Sequence, residues 1–365
     1  MLGEGLTLQE VAQMFSELPI GTEQMQEVHD AVVCSSENGY DEEYMMTDLF
    51  INPGSGVRAS AAQTKASGSY SRPLRTLIRE HLSARHATKS GVGESMGADE
   101  WISTLANSDA QIYWPYHDDW DGETLPIITF DPGGDISAGT GYEMYTLASG
   151  ERAVRKVTVT EKVARERPVW VINTNSDSDY TSLELLRREH PEWGSGGDVT
   201  VTKAGAGSDF RTLILKDFTM NRNFDSWFSG ASEFWVKCGT VEGFTASTEA
   251  EMRLYTPTVT DFMIVVRRKQ IGQPVPFNAV LVSDWTDQVE QFAFMILEDD
   301  GGTQSKWDFD ITVKVQSKSY GVSVSLPINV KDDIVWRGGL TSRYFEKYAG
   351  QKERFGDVDL TFELR

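Results

Sequence analysis

From Asn173 to Glu184 the chain reads Asn173-Thr174-Asn175-Ser176-Asp177-Ser178-Asp179-Tyr180-Thr181-Ser182-Leu183-Glu184, with oxygen-bearing side chains at the first, third, fifth, seventh, ninth and twelfth positions. That spacing suits calcium, a hard cation that takes six to eight oxygen ligands from one short loop. Asn173, Asn175, Asp177, Asp179 and Glu184 are therefore candidate metal ligands. Two positions depart from a calcium loop: Asn173 stands where an aspartate is usual, and Ser178 stands at the turn glycine. The run Val169-Trp170-Val171-Ile172 before it also reads as a strand where a helix would be expected. The competing reading is an Asx-rich turn that caps the following helix. His117-Asp118-Asp119-Trp120-Asp121-Gly122-Glu123 is a second acidic loop, with Ile128 at its twelfth position, and reads as a tight surface turn.

Nucleophilic chemistry has one foothold, Gly93-Glu94-Ser95-Met96-Gly97, which matches G-x-S-x-G. A nucleophile elbow needs a strand before the serine, and Ala87-Thr88-Lys89-Ser90-Gly91 is not one. Asp131 or Asp177, with His117 or His190, would complete a triad. None of the five histidines forms H-E-x-x-H, and the two cysteines, Cys34 and Cys238, are too few for a zinc site of the usual spacing. They admit one bridge, but the favoured reading is two buried thiols. Two carboxylates at a fixed separation would serve glycoside hydrolysis, but among 55 acidic residues no pair stands out.

The formal net charge of −21 repels phosphate backbones, so nucleic acid is an unlikely partner class. Apolar residues make up 39% and charged residues 24%, and ten tryptophans supply large buried areas, so a packed core is expected over two to three domains. No run of about 18 apolar residues marks a transmembrane helix. Met1-Leu2-Gly3-Glu4-Gly5 lacks a signal-peptide pattern, which leaves two readings open: a protein that stays inside, or a removed export signal.

The elements that would position these residues follow from periodicity. Thr7 and Glu10 form a capping-box pattern, with Leu8, Val11, Ala12 and Phe15 on one helical face. Thr22 is expected to cap a second helix with Met25, Val28 and Val32 inward, and a third helical piece is expected over Asp41–Phe50. Residues 52–73 read as a Gly/Ser/Ala-rich connection. A helix then starts at Pro73, and Arg72, Arg75, Arg79, Arg85 and Lys89 make this the one basic stretch. Asp99–Leu105 and Ser182–Arg188 read as short helices, and 194–207 as a linker. From Gln111 onward, short apolar runs bounded by Pro, Gly, Asp and Asn mark strands. Tyr320, Val322, Val324 and Leu326 alternate with Gly321, Ser323 and Ser325, and Val358, Leu360, Phe362 and Leu364 alternate likewise, as do Ile311, Val313 and Val315. Such strands imply an antiparallel sandwich.

Residues 205–330 resemble the calcium- and lipid-binding sandwich called the C2 domain. The likeness rests on Thr212-Leu213-Ile214-Leu215, Ser232-Glu233-Phe234-Trp235-Val236-Lys237, Pro276-Phe277-Asn278 and Phe294-Met295-Ile296-Leu297-Glu298-Asp299-Asp300. It implies calcium ligands at Asp225, Glu233, Glu298, Asp300 and Asp308, although glutamate twice replaces aspartate and the last spacing is long. The whole chain also resembles a group of uncharacterised exported lipoproteins from Bacteroidetes. Gln26-Glu27-Val28-His29-Asp30-Ala31-Val32, Asn38-Gly39-Tyr40-Asp41-Glu42-Glu43-Tyr44, Gln111-Ile112-Tyr113-Trp114-Pro115-Tyr116 and Phe355-Gly356-Asp357-Val358-Asp359-Leu360 carry this resemblance. It implies a cell-envelope location, periplasmic or outer-membrane-anchored, with a lipid anchor upstream.

The expected architecture is α+β: a mainly helical region over 1–110, a small β-rich region over 111–200 and a C2-like antiparallel β-sandwich over 205–365. The expected function is non-catalytic binding or scaffolding at the cell envelope, with calcium ordering acidic loops and an envelope protein or glycan as partner. The rival is a hydrolase, of serine type through Ser95 or carboxylate- or metal-dependent within 111–184. A structural subunit of an envelope assembly is a third reading.

Overall fold

Reciprocal hydrogen bonds open the first helix in the computed structural model: Thr7 N–H donates to Glu10 Oε2 at 2.9 Å, and Glu10 N–H donates to Thr7 Oγ1 at 3.2 Å. The structure describes residues 6–50, 70–88, 97–175, 180–190 and 210–365. Ser95, Asp177, Asp179 and the 194–207 stretch lie outside the described residues, as does nearly all of the 52–73 connection.

Helix α1 (Leu8–Glu17) buries Val11, Ala12, Met14 and Phe15. Helix α2 (Thr22–Glu37) begins one residue earlier than expected. Gly21 is its cap and Thr22 its first residue, with the Gly21 N–H donating to Gln24 Oε1 at 2.9 Å. The stretch expected to be helical over Asp41–Phe50 divides into strand β1 (Glu43–Met45) and helix α3 (Met46–Phe50). The cause is tertiary: β1 pairs antiparallel with β2 (Ala110–Tyr113), Glu43 opposite Tyr113 and Met45 opposite Gln111. A strand partner far along the chain overrides local preference.

Helices α4 (Leu74–Thr88) and α5 (Ala98–Ala106) precede β2, and then come β3 (Ile127–Phe130), β4 (Ala138–Thr146), β5 (Arg152–Thr160), α6 (Glu161–Glu166) and β6 (Val169–Thr174). The strands form one sheet in the order β1-β2-β6-β3-β4-β5, antiparallel except for the parallel β3–β6 pair. Successive strand residues face opposite ways, and the two faces bury separate cores. Ile112, Ile128, Trp170 and Ile172 pack with Val11, Phe15, Met25, Val28, Leu77 and Ile78 from the helices. Tyr113, Ile127, Val159, Val169 and Val171 pack with Trp227 and Phe228. The first compact unit accordingly comprises Met1–Leu185 plus two returning segments, Asp225–Ala231 and Arg267–Lys269. The helices of 1–110 and the strands of the central region share this unit because the helices cover one face of that sheet.

The second unit is β-rich and takes the remaining residues from Leu186 onward. Helix α7 (Leu183–Glu189) spans the boundary between the two. One sheet of the second unit runs in the order β10 (Val275–Trp285), β7 (Arg211–Met220), β16 (Val358–Leu364), β15 (Lys352–Phe355). The other runs β13 (Lys318–Asn329), β12 (Gln304–Val315), β11 (Val289–Glu298), β8 (Ser232–Thr240), β9 (Thr258–Val266), and β14 (Asp333–Thr341) also pairs with β11. Aromatic contacts join the two sheets: Phe218 to Phe234 at 4.9 Å, Trp285 to Phe292 at 5.1 Å and Phe294 to Phe362 at 5.6 Å between ring centroids. Each such pair adds about 0.5–1.5 kcal/mol beyond its buried area. The alternation read in β12 and β13 holds, with Ile311, Val313, Val324 and Leu326 buried and Ser323 and Ser325 exposed. Among the described residues no helix is long and apolar enough to cross a membrane.

Candidate functional site

The first unit concentrates acidic side chains where water is scarce. Asp41, Glu42 and Glu43 follow one another in sequence and are 3%, 1% and 1% exposed. Each needs its own partners, because a buried charge without compensation is costly. Asp41 Oδ1 accepts from the Glu42 N–H at 2.6 Å and Oδ2 from the Ala231 N–H at 3.0 Å. Gly230, at φ +135°, makes room for that carboxylate, since a Cβ there would stand 2.6 Å from Oδ2. Burial, with repulsion from Glu42 and Glu43, pushes the Asp41 carboxyl up to about 8. Glu43 Oε2 accepts from Asn175 Nδ2 at 2.5 Å.

Glu42 faces His117, with Oε1 3.1 Å from Nδ1. Both residues are 1% exposed. Two backbone features set this meeting: the Trp114 N–H donates to the Glu42 carbonyl at 2.9 Å, and Tyr116, at φ 61°, turns the chain into the short helical turn His117–Asp119. The other ring nitrogen, Nε2, lies 3.2 Å from Asp118 Oδ1. His29 on α2 stands edge-on, its ring centroid 5.6 Å from that of His117, and it contacts Trp114 and Trp120 at 5.6 and 5.3 Å. Burial, then the neighbouring His117, holds the His29 imidazole below its ordinary value. Lys269 Nζ sits 2.9 Å from Asp119 and 3.7 Å from Asp118, while Arg267 approaches Glu42 at 3.9 Å. A carboxylate-oriented imidazole can move a proton or hold a metal. Among the described residues the nitrogens of His117 meet carboxylates and no serine, threonine or cysteine, so a nucleophile–base pair is not formed at this ring.

Trp114 and Trp120 also line a neighbouring cleft of about 200 Å³, together with Tyr116, Asp119, Thr124 and Arg167. Its polar groups are held in place. Trp120 Nε1 donates to the Thr124 carbonyl at 3.0 Å, and Arg167 donates to Glu143 at 2.6 Å while its buried Nε has no hydrogen-bond partner among the described residues. Arg165, also on the cleft wall, donates to Tyr116 at 3.1 Å and to Glu161 at 3.0 Å.

The residues expected to hold calcium that the structure describes come from several elements. Asn173 is buried, and its Nδ2 donates to the Phe228 and Ser229 carbonyls at 3.0 and 2.7 Å, pinning the returning 225–231 segment. Asn175 bonds Glu43 as described above. Glu184 packs its carboxylate against Gly39, which has φ +80° and no Cβ to block it. Ser182 Oγ accepts from the Leu185 N–H at 3.0 Å, the helix-capping contact of the Asx-turn reading. Asp225 belongs to the first unit, where its carbonyl accepts from Arg268 at 3.2 Å. The other four lie in the second unit: Glu233 half-buried on β8, Glu298 buried at the end of β11, Asp300 exposed just beyond it, and Asp308 on the outer face of β12 within 3.1 Å of Lys306. Glu42 was missed because its stretch read as helix, and the unbroken acidic run at 41–43 was the available signal.

Replacing Asn173 by alanine strands one buried and one part-buried carbonyl, each costing about 1 kcal/mol. The expected loss is about 2 kcal/mol in urea unfolding, and an unchanged midpoint would mean that the segment is held without the Asn173 amide.

Searches against protein-family models, curated proteins and solved structures gave no match.

Proposed function

We propose that this chain is a non-catalytic binding protein of the cell envelope and that its first unit takes a neutral glycan in the Trp120 cleft. The observation that carries the reading is the half-buried Trp120 ring, its edge fixed on the Thr124 carbonyl, beside the anchored guanidinium of Arg167. A sugar offers C–H faces to an aromatic ring and hydroxyls to planar donors and carboxylates, so an apolar platform with a few fixed polar groups suits it. Glu161 and Glu143 already pair with Arg165 and Arg167, while Asp119 and Asp121 add negative charge, which favours a neutral ligand over an acidic one. Among the described residues no serine, threonine or cysteine meets the His117 nitrogens, which supports binding over hydrolysis of the serine type. The envelope location rests on the lipoprotein resemblance. In the same reading the second unit is a C2-like scaffold, which its two face-to-face antiparallel sheets support.

Titration calorimetry with a panel of neutral oligosaccharides tests the proposal. Trp120→Ala should weaken binding by about tenfold, the loss of about 1.4 kcal/mol of aromatic contact. If no oligosaccharide binds, or if the variant binds as the parent does, the cleft is not a glycan site.

A further inference from the structure

We infer that the outer edge of β5 binds an extended acidic segment of a partner protein, which adds to the six-stranded sheet of the first unit as a further strand. β5 ends the order β1-β2-β6-β3-β4-β5, and it pairs with β4 in unbroken register from Arg152 opposite Thr146 to Thr160 opposite Ala138. Among the described residues, the backbone of 153–159 makes no hydrogen bond beyond those to β4. Alternate residues of an antiparallel strand turn their N–H and C=O groups to the same side, so this side of β5 is a row of unused donors and acceptors. Proline, a bulge or a very short strand blocks such an edge in many sheets, and the nine residues of β5 include none of these.

Charge selects the partner. In a chain of net charge −21, β5 carries Arg152, Arg155 and Lys156 and no acidic residue. Lys156 is exposed and forms no ion pair among the described residues. Arg155 donates to Glu143 through Nε at 2.6 Å and lies over the Tyr145 ring at 5.4 Å, which leaves its Nη groups for another carboxylate. A second copy of β5 would set like charges against one another, at a cost in stability, whereas an acidic strand meets them with opposite charge. An apolar contact is also left open. Val154 is 42% exposed and stands opposite Met144, which is buried against the helices, so that apolar row runs to the edge and stops there. In an antiparallel partner the residues facing Lys156, Arg155 and Val154 follow one another, so the favoured segment reads acid, acid, aliphatic.

The test uses the full chain and a fluorescently labelled synthetic peptide as long as β5, built of valine, threonine and glutamate with Glu-Glu-Val at its centre. Fluorescence anisotropy should show one peptide bound per chain, more weakly as salt rises. Lys156→Glu should weaken binding about tenfold or more, while Lys156→Arg should bind as the parent does. Both should keep the parental melting temperature, because the position is exposed. Two further peptides, N-methylated on one or the other alternate set of amides, separate strand addition from plain charge attraction. An added strand donates to β5 from one set only, so one of these peptides should lose binding and the other keep it. Any other pattern of the two, parental affinity in Lys156→Glu, or no binding of the unmethylated peptide overturns the proposal. So does a dimer of the chain, seen by sedimentation, that the peptide dissociates, since it would put a second copy on this edge. Trp120→Ala should bind the peptide as the parent does, which keeps this result distinct from the glycan titrations.

Discussion

Arg268→Met should destabilise the protein by about 3 kcal/mol at neutral pH, because it breaks a largely buried ion pair by removing one partner. The Arg268 side chain is 6% exposed, and its Nε donates to Glu161 Oε1 at 3.0 Å while its NH1 donates to the Asp225 carbonyl at 3.2 Å. Glu161 also accepts from Tyr116 at 2.6 Å and Arg165 at 3.0 Å. Burial raises the Glu161 carboxyl, but the hydrogen bonds and charge of Arg268, with Tyr116 and Arg165, outweigh it and hold the group at about 2. Glu161 remains 25% exposed, so water replaces part of what the arginine supplied, and the loss falls at the lower end of the range for buried pairs. A carboxyl lowered on folding stabilises above its unfolded value, near 4.5, and loses that contribution as pH falls toward 2. Urea unfolding should therefore separate parent and variant widely at pH 7 and bring them together near pH 2. Equal midpoints at pH 7 would show that Arg268 does not hold the 225–231 segment.

Much of this architecture is legible from local pattern. The Thr7–Glu10 box, the buried face of Val11, Ala12 and Phe15, and the alternation along β12, β13 and β16 depend on residues close in sequence. What escapes local pattern depends on distant partners. Glu43–Met45 is extended because β2 offers a ladder, and the first unit closes only when Trp227, Phe228 and Arg268 return from later in the chain. The candidate site is legible only in pieces for the same reason. His117-Asp118 shows as an acidic turn, but Glu42 arrives from a stretch that reads as helix, and nothing in spacing joins them. Asn173 and Asn175 have the right residue types for a cation, yet the same amides also tie loops together by donating hydrogen bonds. Composition cannot distinguish these uses.

Asp41→Asn should change the pH dependence of stability more than any other single replacement in the acidic run. The Asp41 carboxyl is raised from an ordinary 3.8 to about 8, first by burial and then by Glu42 and Glu43. The sign follows from linkage. The unfolded chain releases this proton near 3.8 while the folded one keeps it until about 8, so the stability tied to it is complete below 3.8. It drains away as pH rises through that window. At 1.36 kcal/mol per unit, the total is on the order of a few kcal/mol. Asparagine is neutral at every pH, so the variant should lack this decline. Its oxygen can still accept from one of the two N–H groups that Asp41 serves, those of Glu42 and Ala231, while its NH2 group faces the other unfavourably. Parent stability should thus exceed that of the variant near pH 4 and fall below it near pH 9, with the curves crossing between. Unfolding free energies measured across that range decide the matter, and parallel curves would mean that Asp41 ionises as an ordinary carboxylate. A crossing would also explain how three successive acids fold into one dry corner beside His117: a neutral Asp41 leaves two carboxylates there to be compensated in place of three.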